Sequence, residues 1–417
     1  MERTSIETIW SKRSSAFWKS SMPYIIDMAR SGVPFVTAMV LLTALASYTS
    51  LLRAMPPDFP FTLVGMAALT PVIAYSPLRT WLREADIVFL LPREGEMHRY
   101  IRRSFRYNGM PSLLAAFIVS LIYLPIYSRG PGETATLLLL TAVLAMKSLS
   151  IAAAWQERRL VWRNGRRWMR IARWLVTAVC TAAFVQTNPL VAIAIAAAGI
   201  LLLALLYRSL PKYRIPWQTL IAEEKRTQRR YAVFFSAFAD VPAETAQVAR
   251  RGYLSWLGRR IRYSSENAFT YLYAHTLIRT ELGGIAIRLT LLGMLSGWLA
   301  ADAGLWNGWG AAGVYVLFIW LVGLQLSALT QSHRHSVWRH VYPLPESQRV
   351  SAVVRVDRFA FMIAAALLFV PHAIGLPAQG QTAQALVALA VGLAFILLVR
   401  PARIKRKMKT DWEEEDE

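Results

Sequence analysis

Residues 86–107 read DIVFLLPREGEMHRYIRRSFRY: an apolar run too short to cross a bilayer, a proline at 92, then a stretch carrying Arg93, Arg99, Arg102, Arg103 and Arg106. Such a basic cluster can face nucleic acid, phospholipid or a protein partner, so its neighbours decide its meaning. It is flanked by apolar stretches at 59–75 and 110–128. A helix rises about 1.5 Å per residue and a bilayer core is about 30 Å thick, so roughly 20 apolar residues make one crossing. The arginine-rich stretch is therefore a connection between two membrane spans.

The rest of the chain follows the same pattern. Of its 417 residues 55% are hydrophobic and 17% charged, a composition that excludes an ordinary soluble domain. Ten apolar stretches are predicted to be spans: Val33 to Leu52, Phe59 to Tyr75, Met110 to Ser128, Thr134 to Ala154, Ile171 to Thr187, Pro189 to Tyr207, Ile285 to Ala301, Trp309 to Leu329, Phe359 to Gly375 and Thr382 to Val399. The fold class is all-α, a polytopic membrane protein. Cys180, the single cysteine, sits in an apolar run and reads as a small packing residue.

The net charge of +22 is distributed by side. With the N-terminus inside, inside segments hold 42 of the 47 Lys and Arg: five before the first span, seven in 76–109, six in 155–170, thirteen in 208–284, five in 330–358 and six after 399. Outside loops hold only Arg53 and Arg129. That alternation is the positive-inside pattern and predicts both termini in the cytoplasm. It also accounts for the basic charge without nucleic acid.

The first 32 residues lack a signal-peptide core. Ile6, Trp10, Phe17, Ile25 and Met28 are spaced for one side of an interrupted helix, read as interfacial with packing on the protein as the alternative. The remaining organisation is a four-span segment 33–154 with an inside elbow at 76–109, two linking spans in 155–207, a basic cytoplasmic helical segment 208–284, a second four-span segment 285–399 with an elbow at 330–358, and a charged tail 400–417.

The opening stretch has an echo. Residues 340–359, HVYPLPESQRVSAVVRVDRF, again place Leu-Pro before a polar turn and a basic run, and Pro345 lies 253 positions after Pro92. The same shift carries each of the first four spans onto or near one of the last four, predicting two parallel four-helix repeats about an axis along the membrane normal. A proline starts a helix well because its missing N–H would be unpaired there. Each elbow is thus read as a short surface helix, with Asp86, Pro92, Arg93, Glu94, Arg99 and Arg102 in the first and Pro345, Glu346, Arg349 and Arg355 in the second. Glu94 and Glu96 would lie at the positive helix end, with the arginines toward the other.

Segments RTWLREADIVFLLP at 79–92, FADVP at 238–242, VARRGYL at 248–254 and LIRTELGGIAIRLTLLG at 277–293 resemble, in order, the EcsB-type ABC transporter permease family. The resemblance implies the membrane subunit of a bacterial ABC transporter, driven by a separately encoded EcsA-type ATPase in one or two copies. ATP and magnesium would bind that partner, and no cofactor or metal this chain. The sequence agrees, since it contains no Gly-Lys dipeptide and hence no GxxxxGK[ST] phosphate loop. The elbows would couple to the ATPase, with Asp240, Pro242, Arg250 and Arg251 as a further cytoplasmic docking segment. Membrane lipids and an unidentified cargo complete the expected partners, and export is the expected direction. A non-transporting scaffold that regulates an ATPase or membrane protease is the alternative.

Charges inside spans mark places to look for a polar route. Arg173 and Arg288 lie near inside ends and are expected to snorkel. Lys147 lies deeper and faces either a polar cavity or, by snorkelling, the interface. No predicted span contains a buried acid. The histidines of HRHSVWRH, at 333, 335 and 340, lack zinc-site spacing. Ser296 in GMLSGW lies outside a GxSxG context, with His372 as the one span histidine that could serve as its base.

Overall fold

The computed structural model describes residues 5–30, 32–130, 132–235, 261–262, 264–333 and 345–416. Among these the chain is helical apart from turns, extended linkers and one isolated bridge between Leu160 and Lys212. Among the described residues nine helices are long and apolar enough to cross a membrane, and the shorter apolar helix Phe61–Ala74 occupies the remaining one of the ten predicted stretches. The contacts divide the chain into two units, residues 1–26 with 55–235, and residues 27–54 with 236–417.

The first unit contains α1 (Ile6–Arg30) up to Ile26, α3 (Phe61–Ala74), the single turn α4 (Asp86–Phe89), α5 (Met97–Tyr127), α6 (Thr136–Arg159), α7 (Arg163–Gln186), α8 (Pro189–Ser209) and α9 (Trp217–Phe235). Helix α3 packs against α5, α6 and α7. At 14 residues its helical part is about 21 Å long, less than the roughly 30 Å of a bilayer core. Its C-terminal carbonyls have no helical partners and would be costly to leave bare at membrane depth. Two cations take them. Lys147 of α6 donates to Val72 O at 2.9 Å and Tyr75 O at 2.5 Å, and Arg173 of α7 donates to Ala74 O at 2.5 Å.

The second unit contains α2 (Val33–Arg53), α10 (Ala268–Arg279), α11 (Glu281–Asp302), α12 (Trp309–Ser327), α13 (Glu346–Ala378), α14 (Thr382–Ala394) and α15 (Arg400–Asp416). Its core runs through Val36, Tyr315, Phe318, Val322, Phe361 and Leu368. Close approach depends on small residues. A Cβ on Gly293 would meet Leu368 and Phe318 within 3 Å, and one on Gly297 would meet His372 at 2.5 Å. Helix α2 packs on α11 and its Ser47 donates to Asp302 at 2.7 Å, so the first span sits with the later helices while α7 packs beside α3.

The 253-residue shift links similar devices. It takes Lys147 to Arg400, a buried cation again at the C-terminal end of a preceding helix: Arg400 donates to Gly323 O at 2.7 Å and pairs with Asp357 at 2.6 Å. Asp357 precedes the predicted span Phe359 to Gly375 and Glu157 follows Thr134 to Ala154, so these buried acids sit on the membrane-long helices just outside their apolar stretches.

Candidate functional site

The segment 75–85 is extended yet buried from Leu78 to Leu82, so its backbone groups need partners other than helix or water. Acidic and basic side chains supply them. Glu224 of α9, 1% exposed, accepts the N–H groups of Thr80 at 2.9 Å and Trp81 at 3.1 Å and pairs with Arg79 at 3.3 Å. Asp86, 3% exposed, accepts the Arg83 N–H at 2.7 Å and a two-pronged contact from Arg13 of α1 at 2.6 and 2.7 Å. Asn108 donates to Arg79 O and Arg158 to Ser76 O.

Aromatic rings close the assembly. The Arg79 guanidinium lies 3.9 Å from the Phe17 ring centre, 3.8 Å from Trp81 and 4.5 Å from Tyr231, a cation–π cage. Trp81 takes φ of +60°, a conformation that is costly for a bulky residue and is held by this packing. Trp10 of α1 donates to Ser104 of α5 at 2.8 Å. The apolar face of α1 from Ile6 to Phe17 is therefore used against protein, the alternative to the interfacial reading.

From this rigid base the chain turns outward. Val88 and Phe89 are 72% and 74% exposed, with Leu91 and Pro92 also exposed beside them. Pro92 lies in the first turn of a 3-10 helix, Leu91–Glu96, and α5 begins only at Met97. Arg93 pairs with Glu96 at 2.7 Å, Glu94 is half-buried, and Arg99 and Arg102 are exposed on α5. The predicted short surface helix is corrected: α5 runs unbroken from Met97 to Tyr127, through Gly109 and Pro111, into the membrane-spanning stretch. Its arginines consequently lie near its N-terminal end, where the dipole does not favour them. Exposed apolar side chains on α5 begin at Met110, about 20 Å of helix after its start at Met97.

Around the second elbow the described residues resume at Pro345, which precedes α13, another unbroken helix of 33 residues. Arg349 is buried and donates to the Tyr273 hydroxyl at 2.9 Å, while Arg355 is exposed. Glu346 begins the helix. Asp240, Pro242, Arg250 and Arg251 lie outside the described residues.

Lys147 faces neither a cavity nor the interface; it caps α3. Arg173 does not snorkel either: it is buried, paired with Glu157 at 2.6 Å, and Glu157 also accepts the Tyr207 hydroxyl at 2.9 Å. Arg288 is exposed. The Ser296 hydroxyl donates to Leu292 O of its own helix, and the His372 ring nitrogens face Leu368 O and Ala311 O, so the two side chains form no nucleophile–base pair with each other. Sequence reasoning, which offers Lys12, Arg13 and Lys19 to lipid headgroups, missed the pairing of Arg13 with Asp86 and the roles of Arg79 and Glu224. A glutamate on a charged helix such as α9 gives no sign of burial, and the aromatic spacing of α1 was the nearest available signal.

Unbroken helices running from basic, buttressed turns into apolar spans define a multi-pass α-helical membrane protein. Residues 7–393 match the family model described as "Bacterial ABC transporter protein EcsB", and the chain belongs to that family. It is 27% identical over 410 residues to Protein EcsB of Bacillus subtilis (strain 168), covering 96% of this chain and 97% of that one. No solved structure matches.

Proposed function

We propose that the chain is the permease subunit of a bacterial ABC transporter, with both termini cytoplasmic, driven by a separate EcsA-type ATPase that docks on the elbow at 86–96. The observation that carries this reading is the pairing of an exposed apolar tip, Val88 and Phe89, with a base fixed by two buried carboxylates. The tip is separated along the chain from the exposed apolar part of α5 by the arginines at 93–106, an arrangement that suits a protein groove better than a bilayer. Because α5 is continuous, a displacement of that tip would be delivered to the span as a rigid-body motion. ATP and magnesium would bind the partner, since this chain has no phosphate loop.

Export is the proposed direction. The loops on the far side, such as 129–133 and 303–308, are short and leave little surface on which a receptor could deliver cargo from outside. Native mass spectrometry of the chain co-purified with the ATPase tests the docking and its stoichiometry. One or two ATPase copies bound to wild type and lost in Val88→Asp/Phe89→Asp support it; undiminished binding to that variant refutes the docking site. ATP-dependent movement of cargo in reconstituted vesicles would separate a transporter from a regulatory scaffold.

A further inference from the structure

Two cavities adjoin in the first unit, the second bordered by Ile87 beside the elbow tip. One, of about 400 Å³, lies among α6, α7 and α8 and is walled mainly by aliphatic side chains such as Leu149, Val176 and Leu203, with Arg173, Tyr207, Arg208 and Lys212 among its polar lining. The other, of about 750 Å³, is lined by six arginines, 158, 163, 166, 167, 170 and 226, against two glutamates, 157 and 223. Glu157 borders the second cavity and is hydrogen-bonded to both Arg173 and Tyr207 of the first, so the two share a wall. An apolar chamber thus abuts a cationic one.

The charge in the cationic chamber is not balanced from within. Glu223 is engaged by Arg158 at 2.8 Å and Glu157 by Arg173 at 2.6 Å. Arg163, Arg167 and Arg226 have no ion pair or side-chain hydrogen bond among the described residues. The first turn of α7 contains no acidic residue, and Trp162 before it offers no side-chain cap, so the positive helix end adds to the same field. In the apolar chamber the Gln156 amide oxygen is buried without a hydrogen-bond partner.

Depth identifies the ligand. Trp162 and Trp168 are strongly exposed beside the arginines, and exposed aliphatics on α7 begin at Ile171 and continue through Leu175 and Val179. Exposed tryptophans at the edge of an apolar band mark the headgroup level of a bilayer. The arginine chamber is therefore at phosphate depth and the apolar chamber at acyl depth, and the latter's volume falls in the roughly 300–1,000 Å³ range of small-molecule sites.

We propose that these paired chambers form a binding site for one anionic phospholipid of the leaflet on the elbow side, with the headgroup phosphate among Arg163, Arg167 and Arg226 and an acyl chain against α6–α8. A soluble phosphate would satisfy the arginines but leave the adjoining apolar chamber unused. The site does not depend on ATPase docking and stands or falls separately from it.

The test is native mass spectrometry of the full chain titrated with phosphatidylglycerol and, separately, phosphatidylcholine. Wild type is expected to retain phosphatidylglycerol selectively, and Arg163→Gln/Arg167→Gln to weaken it about 30-fold, taking about 1 kcal/mol per basic residue near an anionic surface. Arg403→Gln/Lys405→Gln, an equal charge loss at residues that line neither chamber, should change it less than about threefold. Arg226→Gln provides an independent removal from α9, and Arg163→Lys/Arg167→Lys should restore most of the binding. Equal retention of the two lipids, or equal loss in the two charge-matched Gln variants, would overturn the site. Displacement of bound phosphatidylglycerol by millimolar inorganic phosphate would assign it to a soluble anion instead.

Discussion

Glu224→Ala removes, in one substitution, the acceptor for two buried backbone N–H groups and the carboxylate facing a buried guanidinium. Each orphaned donor costs about 1–3 kcal/mol, and a buried ion pair broken from one side about 3–5 kcal/mol. These terms overlap, because Arg79 retains its aromatic cage, so about 3–5 kcal/mol is the expected total for opening of the 78–82 strap. Tenfold per 1.4 kcal/mol converts this to roughly 100- to 3,000-fold faster exchange of the Thr80 and Trp81 amides. Hydrogen exchange with peptide-level mass spectrometry on the detergent-purified protein reads it directly. The half-exposed neighbour Glu223 provides the control: Glu223→Ala should change the same peptide by less than about 1 kcal/mol. Protection in Glu224→Ala within about threefold of wild type would refute the idea that this carboxylate holds the strap.

Other consequences are as concrete. Lys147→Met removes the donor to Val72 O and Tyr75 O, while Arg173 keeps Ala74 O, and should lower the thermal midpoint in detergent, by about 2–4 kcal/mol of stability; an unchanged midpoint contradicts the capping role. Tyr207→Phe removes one of the hydrogen bonds to Glu157 while Arg173 keeps its pair, so a loss near 1 kcal/mol is expected, well below that of Arg173→Met in the same assay. Phe89→Ala, on an exposed tip, should leave the midpoint unchanged yet weaken ATPase binding about 30-fold, the effect of an interface anchor worth about 2 kcal/mol. Burial first, and Arg349 second, hold His333 below its ordinary value of 6.5. The folded state therefore binds its proton less readily than the unfolded chain, so its packing against Tyr273 and Thr276 is fully favourable above pH 6.5 and weakens as pH falls below it. A thermal midpoint that drops between pH 7.5 and 5.5, with a smaller drop in His333→Gln, is the expected result, and a rise would contradict it.

The spans were legible because lysine and arginine are absent from nearly every apolar stretch and cluster between them, and lipid forces that separation on any sequence. The elbow's location was legible from Leu-Pro and its echo, but its mechanics were not. Gly109 and Pro111 look like breaks, yet α5 continues through both, since a proline costs one backbone bond that packing against α3 and α6 offsets. Arg173 and Lys147 were misread for a related reason. Distance from a span end says how far a side chain must reach for water, whereas the actual destination was set by α3 ending early and presenting carbonyls. Helix α2 joined the second unit because Ser47 meets Asp302, a contact between residues 255 positions apart that no local pattern signals.

The proposed ATPase contact at the elbow is tested most directly by a photo-crosslinking amino acid at Phe89 in cells that also express an EcsA-type ATPase. The account predicts a covalent adduct containing both proteins from Phe89, and none from Leu114, which faces outward within the apolar part of α5. Adducts from Phe89 that contain lipid alone would contradict it.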